Sequence, residues 1–122
     1  MRQALETELL RKVQLAAPEY GFRLFRNNIG ALKDSTGRVI KYGLCNPGGA
    51  DLIGWVPTII TPAMVGTTVA RFSAIEIKSP TGHVTQEQRQ FLSVVHQAGG
   101  IASEVYSLHE AEILMQANRS IP

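Results

Sequence analysis

The spacing of apolar positions along the chain predicts a defined order of helices and strands. Residues 3–17 place leucine, valine and alanine three and four positions apart, which is the pattern of an amphipathic helix. Alternating apolar and charged residues predict a strand over 22–28, and the turn signal at 34–37 predicts an irregular hairpin between short extended pieces. The chain therefore begins with a helix that short strands follow.

The second half of the chain predicts an alternation of strands and helices. The elements are a glycine-rich turn and strand over 46–55, a loop over 61–68, a strand over 69–78, a helix over 85–95, a strand over 101–107 and a last helix from Ser107. Thr85 with Gln88, and Ser107 with Glu110, have the spacing of capping boxes. This order predicts an α/β fold, a mixed sheet flanked by helices, in one domain over residues 1–122.

Composition and charge narrow the class of protein. Hydrophobic residues make up 44% of the chain and charged residues 18%, which favours a folded domain over disorder. The net charge of +2 is compatible with a nucleic-acid partner. Cys45 is the one cysteine, which excludes an internal disulfide and suits a reducing cytoplasm. No run approaches the roughly 20 apolar residues that span a bilayer, so no membrane association is expected.

Two charged residues lie within the strand predicted over 69–78. Strand geometry places Glu76 and Lys78 on one face, about 6.6 Å apart. Asp51 opens the preceding apolar strand two residues after Gly49, where a ligand or another chain could approach the backbone. Two converging carboxylates repel each other unless a proton or cation lies between them, and oxygen ligands favour Mg²⁺ or Mn²⁺. The alternative is an ordinary strand end with an exposed polar face.

Two polar side chains on helices are further candidates. Glu6 is on the apolar, inward face of the first helix, whereas Glu8 has Lys12 at i+4 and is expected to form a solvated pair. Glu6 could equally be an inward-leaning residue at a frayed helix start. Gln88 precedes two apolar residues of its helix by four and seven positions, so its side chain is expected to project toward the sheet. A capping box with Thr85 would explain Gln88 without any function.

Four segments together carry a resemblance to a known family: R-N-N-I-G at 26–30, G-G-A-D at 48–51, I-E-I-K at 75–78 and T-G-H-V-T-Q-E-Q at 81–88. In this order and spacing they resemble a stand-alone virus-type replication-repair nuclease (VRR-NUC) domain of phage type, within the PD-(D/E)xK superfamily. The resemblance implies a restriction-endonuclease-like core with a central mixed β-sheet flanked by helices. The proline of the superfamily's name is absent, since Ala50 stands before Asp51.

The resemblance implies a catalytic set of five residues: Glu6, Asp51, Glu76, Lys78 and Gln88. Asp51, Glu76 and the backbone carbonyl of Ile77 would bind Mg²⁺ or Mn²⁺. Lys78 would orient a water molecule or stabilise developing charge. Glu8 could take the place of Glu6 if the first helix were shifted in register. Six further residues are expected to contact DNA: Arg23, Arg26, Asn27, Lys33, Lys41 and Arg89.

The function expected from this resemblance is metal-dependent hydrolysis of DNA phosphodiester bonds. The substrate would be branched or four-way-junction DNA, in replication, recombination or repair, in the cytoplasm of a bacterial or phage-infected cell. A homodimer is expected. One apolar stretch could form either the dimer interface or part of the core of the domain: Trp55, Ile59, Ile60 and Met64. One alternative is a DNA-binding module of the same fold without turnover. The other is a sequence-specific restriction-type endonuclease, for which 122 residues leave little room.

Overall fold

A computed structural model describes residues 2–119. The chain divides after Pro57 into two compact units, and each is described by itself. The first unit contains α1 (Arg2–Ala16), a 3₁₀ turn (Ala17–Tyr20), β1 (Arg23–Arg26), β2 (Gly30–Lys33), β3 (Val39–Tyr42) and β4 (Leu52–Trp55). The second contains a 3₁₀ turn (Pro62–Met64), β5 (Ser73–Ile77), α2 (Gln86–Gln97), β6 (Ile101–Val105) and α3 (Leu108–Ala117). The predicted mixture of helices and strands is confirmed. The single domain and the PD-(D/E)xK core stay predictions.

Helix α1 begins and ends one residue earlier than predicted. The chain leaves the helix through the 3₁₀ turn, where Pro18 occupies an early position, and then through Gly21. Gly21 has φ of 82°, a left-handed conformation that glycine adopts without a steric penalty. Leu10 and Gln14 are half-buried and Ala17 is buried, so these residues mark the inward face of the helix.

The first unit holds two antiparallel strand pairs. Strand β1 pairs with β4, and the rings of Phe25 and Trp55 lie with their centroids 5.5 Å apart. Strand β4 ends at Trp55, two residues before Pro57, as the predicted break at the proline requires. Strands β2 and β3 form the predicted hairpin.

The hairpin turn is organised by one carboxylate. Asp34 Oδ1 accepts hydrogen bonds from Thr36 Oγ1 at 2.6 Å, from the Thr36 backbone N–H at 2.9 Å and from the Arg38 N–H at 3.0 Å. These bonds lower the pKa of Asp34 below its ordinary value, and the bond from the Thr36 hydroxyl has the largest effect. The turn signal in the sequence thus corresponds to an Asx-type turn.

The second unit is built on a parallel pair of strands joined by a helix. Strand β5 pairs with β6 in the register Glu76↔Glu104, and α2 packs against both strands. Leu92 and Val95 of α2 are buried, as is Val105 of β6. Strand β5 has five residues instead of the ten predicted over 69–78, and α2 continues two residues beyond the predicted end at 95.

The two predicted capping boxes differ in the structure. At α2 the box is complete, because Thr85 Oγ1 accepts from the Gln88 N–H at 3.1 Å and Gln88 Oε1 accepts from the Thr85 N–H at 3.0 Å. At α3 Ser107 Oγ accepts from the Glu110 N–H at 3.1 Å, but Glu110 Oε2 accepts from the Tyr106 N–H. In the second box the Glu110 side chain therefore accepts from the residue before the N-cap, and not from the N-cap residue itself. Within residues 2–119, no helix is both long enough and apolar enough to cross a membrane.

Candidate active site

The charged face of β5 is its sheltered face. Glu76 alternates with Ala74 on the half-buried side of the strand, while Ile75 and Ile77 are 39% and 77% exposed. Glu76 contacts Gln88 of α2, so this side of the strand faces the helix. The ordinary alternative, an exposed polar face at a strand end, does not describe Glu76 and Lys78 in this unit.

Two donors converge on one oxygen of Glu76. Gln88 Nε2 donates to Glu76 Oε1 over 2.8 Å, and Lys78 Nζ lies 3.4 Å from the same atom. The Lys78 and Glu76 side chains are 20% and 29% exposed, so partial burial weakens solvent screening of this pair. Both contacts are made by Oε1. The structure thus brings together three of the five predicted catalytic residues.

Gln88 fulfils both roles that the sequence suggested. Its side-chain oxygen accepts from the Thr85 backbone N–H, and its side-chain nitrogen donates to Glu76. A backbone N–H can only donate and an ionised carboxylate can only accept, so these partners define which end of the amide is oxygen. The helix cap and the contact to the carboxylate therefore belong to one continuous hydrogen-bond chain.

A cleft of about 370 Å³ opens beside this chain. Its lining is Ala74, Ile75, Glu76, Glu87, Gln88, Phe91 and Leu92. Four of these residues are apolar, and Glu76, Glu87 and Gln88 supply the polar groups. A substrate group entering the cleft would meet carboxylates beside apolar side chains, and charge interactions are stronger next to an apolar surface than in bulk water.

Glu104 is a carboxylate residue near this site that the sequence analysis missed. The parallel register pairs it with Glu76, and register partners in a ladder present their side chains on the same face of the sheet. Glu104 is half-buried. The signal that could have identified it is the strand–helix–strand order, which favours parallel pairing of the two flanking strands.

Asp51 lies in the first unit, directly before β4, with an exposed side chain. It lines a cleft of about 190 Å³ together with Leu10, Arg26, Asn27, Asn28 and Ile29. A carboxylate and a guanidinium group therefore share this cleft. Both groups suit a phosphate-binding site. The carboxylate can bind a cation that contacts phosphate, and the guanidinium group can bind phosphate directly.

Asn27 fixes the loop that carries Asp51. Its Nδ2 donates to the carbonyl oxygens of Leu44 and Ala50, each over 3.0 Å, and its Oδ1 accepts from the Leu44 N–H at 2.8 Å. The Asn27 backbone N–H donates to the Asp51 carbonyl over 2.8 Å. In the structure Asn27 is a positioning residue, and its predicted contact with DNA stays a prediction.

Gly49 permits a close approach, but the approaching group belongs to the protein. A Cβ atom at this position would overlap the carbonyl oxygen of Leu44 and crowd Ile29 and Asn27. The Gly49 N–H also donates to the Cys45 carbonyl. The absence of a side chain at Gly49 therefore allows the loop before Asp51 to fold onto itself.

The two glutamates of α1 lie in different surroundings. Glu8 Oε1 is 3.4 Å from Lys12 Nζ, which confirms the predicted i+4 pair, and both side chains are exposed. Glu6 is also exposed, yet it precedes Leu10 by one helical turn, and Leu10 lines the cleft of Asp51. The helical phase therefore places Glu6, and not Glu8, on the side of α1 that leads to this cleft.

We expect Glu6→Gln to lower cleavage more than Glu8→Gln. Loss of a group that supports a metal site lowers activity by about 10–100-fold, and this range is expected for Glu6→Gln. Glu8→Gln removes only an exposed pair, which contributes about 0–1 kcal/mol to stability. Single-turnover cleavage by the two variants, prepared side by side, measures the difference. The reverse order of losses would place Glu8 at the site.

The predicted DNA contacts are exposed cations, apart from Asn27. The cations are Arg23, Arg26, Lys33, Lys41 and Arg89. In the hairpin the register Lys33↔Val39 and Ala31↔Lys41 places both lysines on the same face. One face of the hairpin therefore carries two cations, and their contact with DNA stays a prediction.

The donor atoms offered by the predicted ligands suit a hard divalent cation. The Asp51 and Glu76 carboxylates and the Ile77 carbonyl all supply oxygen, which Mg²⁺ and Mn²⁺ prefer. In residues 2–119, no three histidine, cysteine, aspartate or glutamate side chains gather into a metal-binding group. Magnesium binding is consistent with the donor chemistry and stays a proposal.

The apolar stretch predicted as core or interface is largely exposed. Ile59 and Ile60 have 88% and 69% of their surface accessible, while Trp55 and Met64 are half-buried. Ile59 and Ile60 are therefore not core residues, which corrects one of the two alternatives for this stretch.

The family model for the VRR-NUC domain matches residues 8–108, a range that includes Asp51, Glu76, Lys78 and Gln88 and begins after Glu6. Neither the curated proteins nor the solved structures gave a significant match.

Proposed function

The chain belongs to the VRR-NUC domain family, a nuclease family, and on this premise we propose that it is a metal-dependent DNA endonuclease selective for branched DNA or four-way junctions. The single observation that supports the catalytic assignment best is the Glu76 carboxylate, held by Gln88 at 2.8 Å and accompanied by Lys78 at 3.4 Å. A carboxylate can bind a cation that activates water, and a nearby lysine can stabilise developing charge, so these groups can serve metal-dependent phosphodiester hydrolysis.

Each residue of the proposed site has a distinct task. Asp51, Glu76 and the Ile77 carbonyl would hold Mg²⁺ or Mn²⁺. The ion, when bound, neutralises charge on the non-bridging phosphate oxygens and lowers the pKa of a bound water molecule. Lys78 would orient the attacking water or stabilise charge that develops on the phosphate. Gln88 keeps the Glu76 carboxylate in a fixed orientation, so less reorganisation is needed during the reaction.

The exposed cations would hold the DNA backbone. Lys33 and Lys41 on one hairpin face, with Arg23, Arg26 and Arg89 elsewhere, can contact phosphates without reading bases. Phosphate contacts position a duplex and make binding depend strongly on salt. This mode of binding suits a nuclease that recognises the shape of DNA more than its sequence.

A homodimer is part of the proposal. One small site cuts one strand, whereas a symmetric four-way junction presents two strands related by two-fold symmetry. The exposed Ile59 and Ile60 would supply part of the interface, because burying them in a dimer removes apolar surface from water.

The test is cleavage of an end-labelled four-way junction and of a linear duplex with the same arm sequence, in Mg²⁺, Mn²⁺ or EDTA. We expect junction cleavage with either metal, weaker cleavage of the duplex, and none in EDTA. Junction binding without cleavage would identify a DNA-binding module instead. Cleavage of the duplex at one fixed sequence would identify a restriction-type enzyme. Sedimentation of the same preparation as a 13.3 kDa monomer would contradict the dimer.

A further inference from the structure

We infer that Thr85 is a positioning residue for the Glu76 carboxylate, acting through the helix cap and Gln88. This inference rests on the proposed function, in which Glu76 is an active-site carboxylate. The chain of contacts is short. Thr85 Oγ1 accepts from the Gln88 N–H at 3.1 Å, the Thr85 N–H donates to Gln88 Oε1 over 3.0 Å, and Gln88 Nε2 donates to Glu76 Oε1 over 2.8 Å.

The capping box of Thr85 and Gln88 allows only one orientation of the Gln88 side-chain amide. Its oxygen is held by a backbone N–H, so its nitrogen must point away from the cap, and that nitrogen meets Glu76. Without the Thr85 hydroxyl, the Gln88 N–H loses its acceptor and the first turn of α2 is free to fray. Gln88 is then no longer held at the distance at which it reaches the carboxylate.

The protein contains a matched control for this inference. Ser107 caps α3 as Thr85 caps α2, and its Oγ accepts from the Glu110 N–H at the same 3.1 Å. The two caps differ in what the third residue of the helix contacts. Gln88 continues to Glu76, whereas Glu110 turns back to the Tyr106 N–H. Removal of either hydroxyl therefore weakens the start of a helix. Only removal of the Thr85 hydroxyl is also expected to loosen the contact between Gln88 and Glu76.

The experiment compares Thr85→Ala, Thr85→Ser and Ser107→Ala in the full chain. Both alanine variants are expected to lower the midpoint of thermal unfolding by similar amounts. Thr85→Ala is expected to reduce single-turnover junction cleavage by about 10–100-fold, the range for loss of a group that orients a metal ligand. Thr85→Ser restores the acceptor oxygen and should cleave like the parent, and Ser107→Ala should cleave like the parent as well.

A second readout does not depend on activity. Nitrogen-15 relaxation of the Gln88 side-chain amide should show restricted motion in the parent and in Ser107→Ala, and increased motion in Thr85→Ala. A Gln88→Glu variant adds a separate arm, because glutamate preserves the capping box but places a carboxylate oxygen against Glu76. Cleavage should fall in this variant while the cap persists.

Two outcomes overturn the inference. One is a Thr85→Ala protein that cleaves as fast as Ser107→Ala, and the other is a Gln88 amide that remains equally restricted without the hydroxyl. Failure of the proposed function would be seen differently, as no cleavage of the junction by the parent protein in either Mg²⁺ or Mn²⁺. The relaxation measurement would still decide in that case whether Thr85 orients Gln88.

Discussion

Replacing Glu76 with glutamine is expected to lower the single-turnover cleavage rate by at least about 10²–10³-fold, with little change in thermal stability. Glutamine has the same length and keeps an oxygen that can accept from Gln88 Nε2, the bond that measures 2.8 Å in the parent. What disappears is the negative charge beside Lys78. If that charge binds the catalytic cation, its loss removes activity without removing the packing of β5 against α2.

Three companion variants make this result specific. Asp51→Asn should show a loss of similar size, since the two carboxylates are proposed ligands of the same ion. Glu112→Gln on α3 is the control, because it removes the same charge from an exposed helical position. Glu104→Gln tests whether Glu104, the register partner of Glu76, also contributes to cleavage. Parental cleavage by either Glu76→Gln or Asp51→Asn would show that the metal assignment is wrong.

Lys78→Met is expected to reduce turnover by about 10²–10³-fold while DNA binding persists. Methionine retains an unbranched apolar stem and removes the ammonium group, so changes in packing should be small. Single-turnover cleavage at saturating Mg²⁺ measures the chemical step. Titration of the same junction in Ca²⁺ measures binding while hydrolysis is held off.

Lys12→Met is the matched control for this substitution. Lys12 Nζ lies 3.4 Å from Glu8 Oε1, the same separation as Lys78 Nζ from Glu76 Oε1. The Lys12 side chain is 67% exposed, compared with 20% for Lys78, so water and salt screen the first pair far more. Lys12→Met should cleave like the parent. Weak binding with a preserved single-turnover rate in Lys78→Met would make Lys78 a phosphate contact.

The sequence was most informative where short-range interactions decide the structure. The capping box of Thr85 and Gln88, the i+4 pair of Glu8 and Lys12, and the hairpin turn at 34–37 all form as predicted. Each of these features joins residues three to five positions apart, so the local sequence contains both partners. The ends of helices and strands were less accurate because packing and local hydrogen bonds determine where an element stops.

Alternation along β5 determined that Glu76 and Lys78 share a face, but it could not determine which face is sheltered. That depended on α2, which covers the charged side and leaves Ile75 and Ile77 more exposed. The helical phase of Gln88 predicted that it projects toward the sheet. Only the packing of helix on strand showed which oxygen it contacts.

Contacts between distant positions were decided by tertiary structure alone. Asn27 reaches 17 and 23 residues along the chain to hold the loop before Asp51, and nothing in its own neighbourhood predicts this. The pairing of Glu76 with Glu104 likewise needs the register of two strands that a helix separates. The sequence by itself determined the residue types, the hairpin turn and the N-cap residues of α2 and α3, because those depend on neighbours. The partners of Glu76 and the support of Asp51 depend on chain segments that only folding brings together.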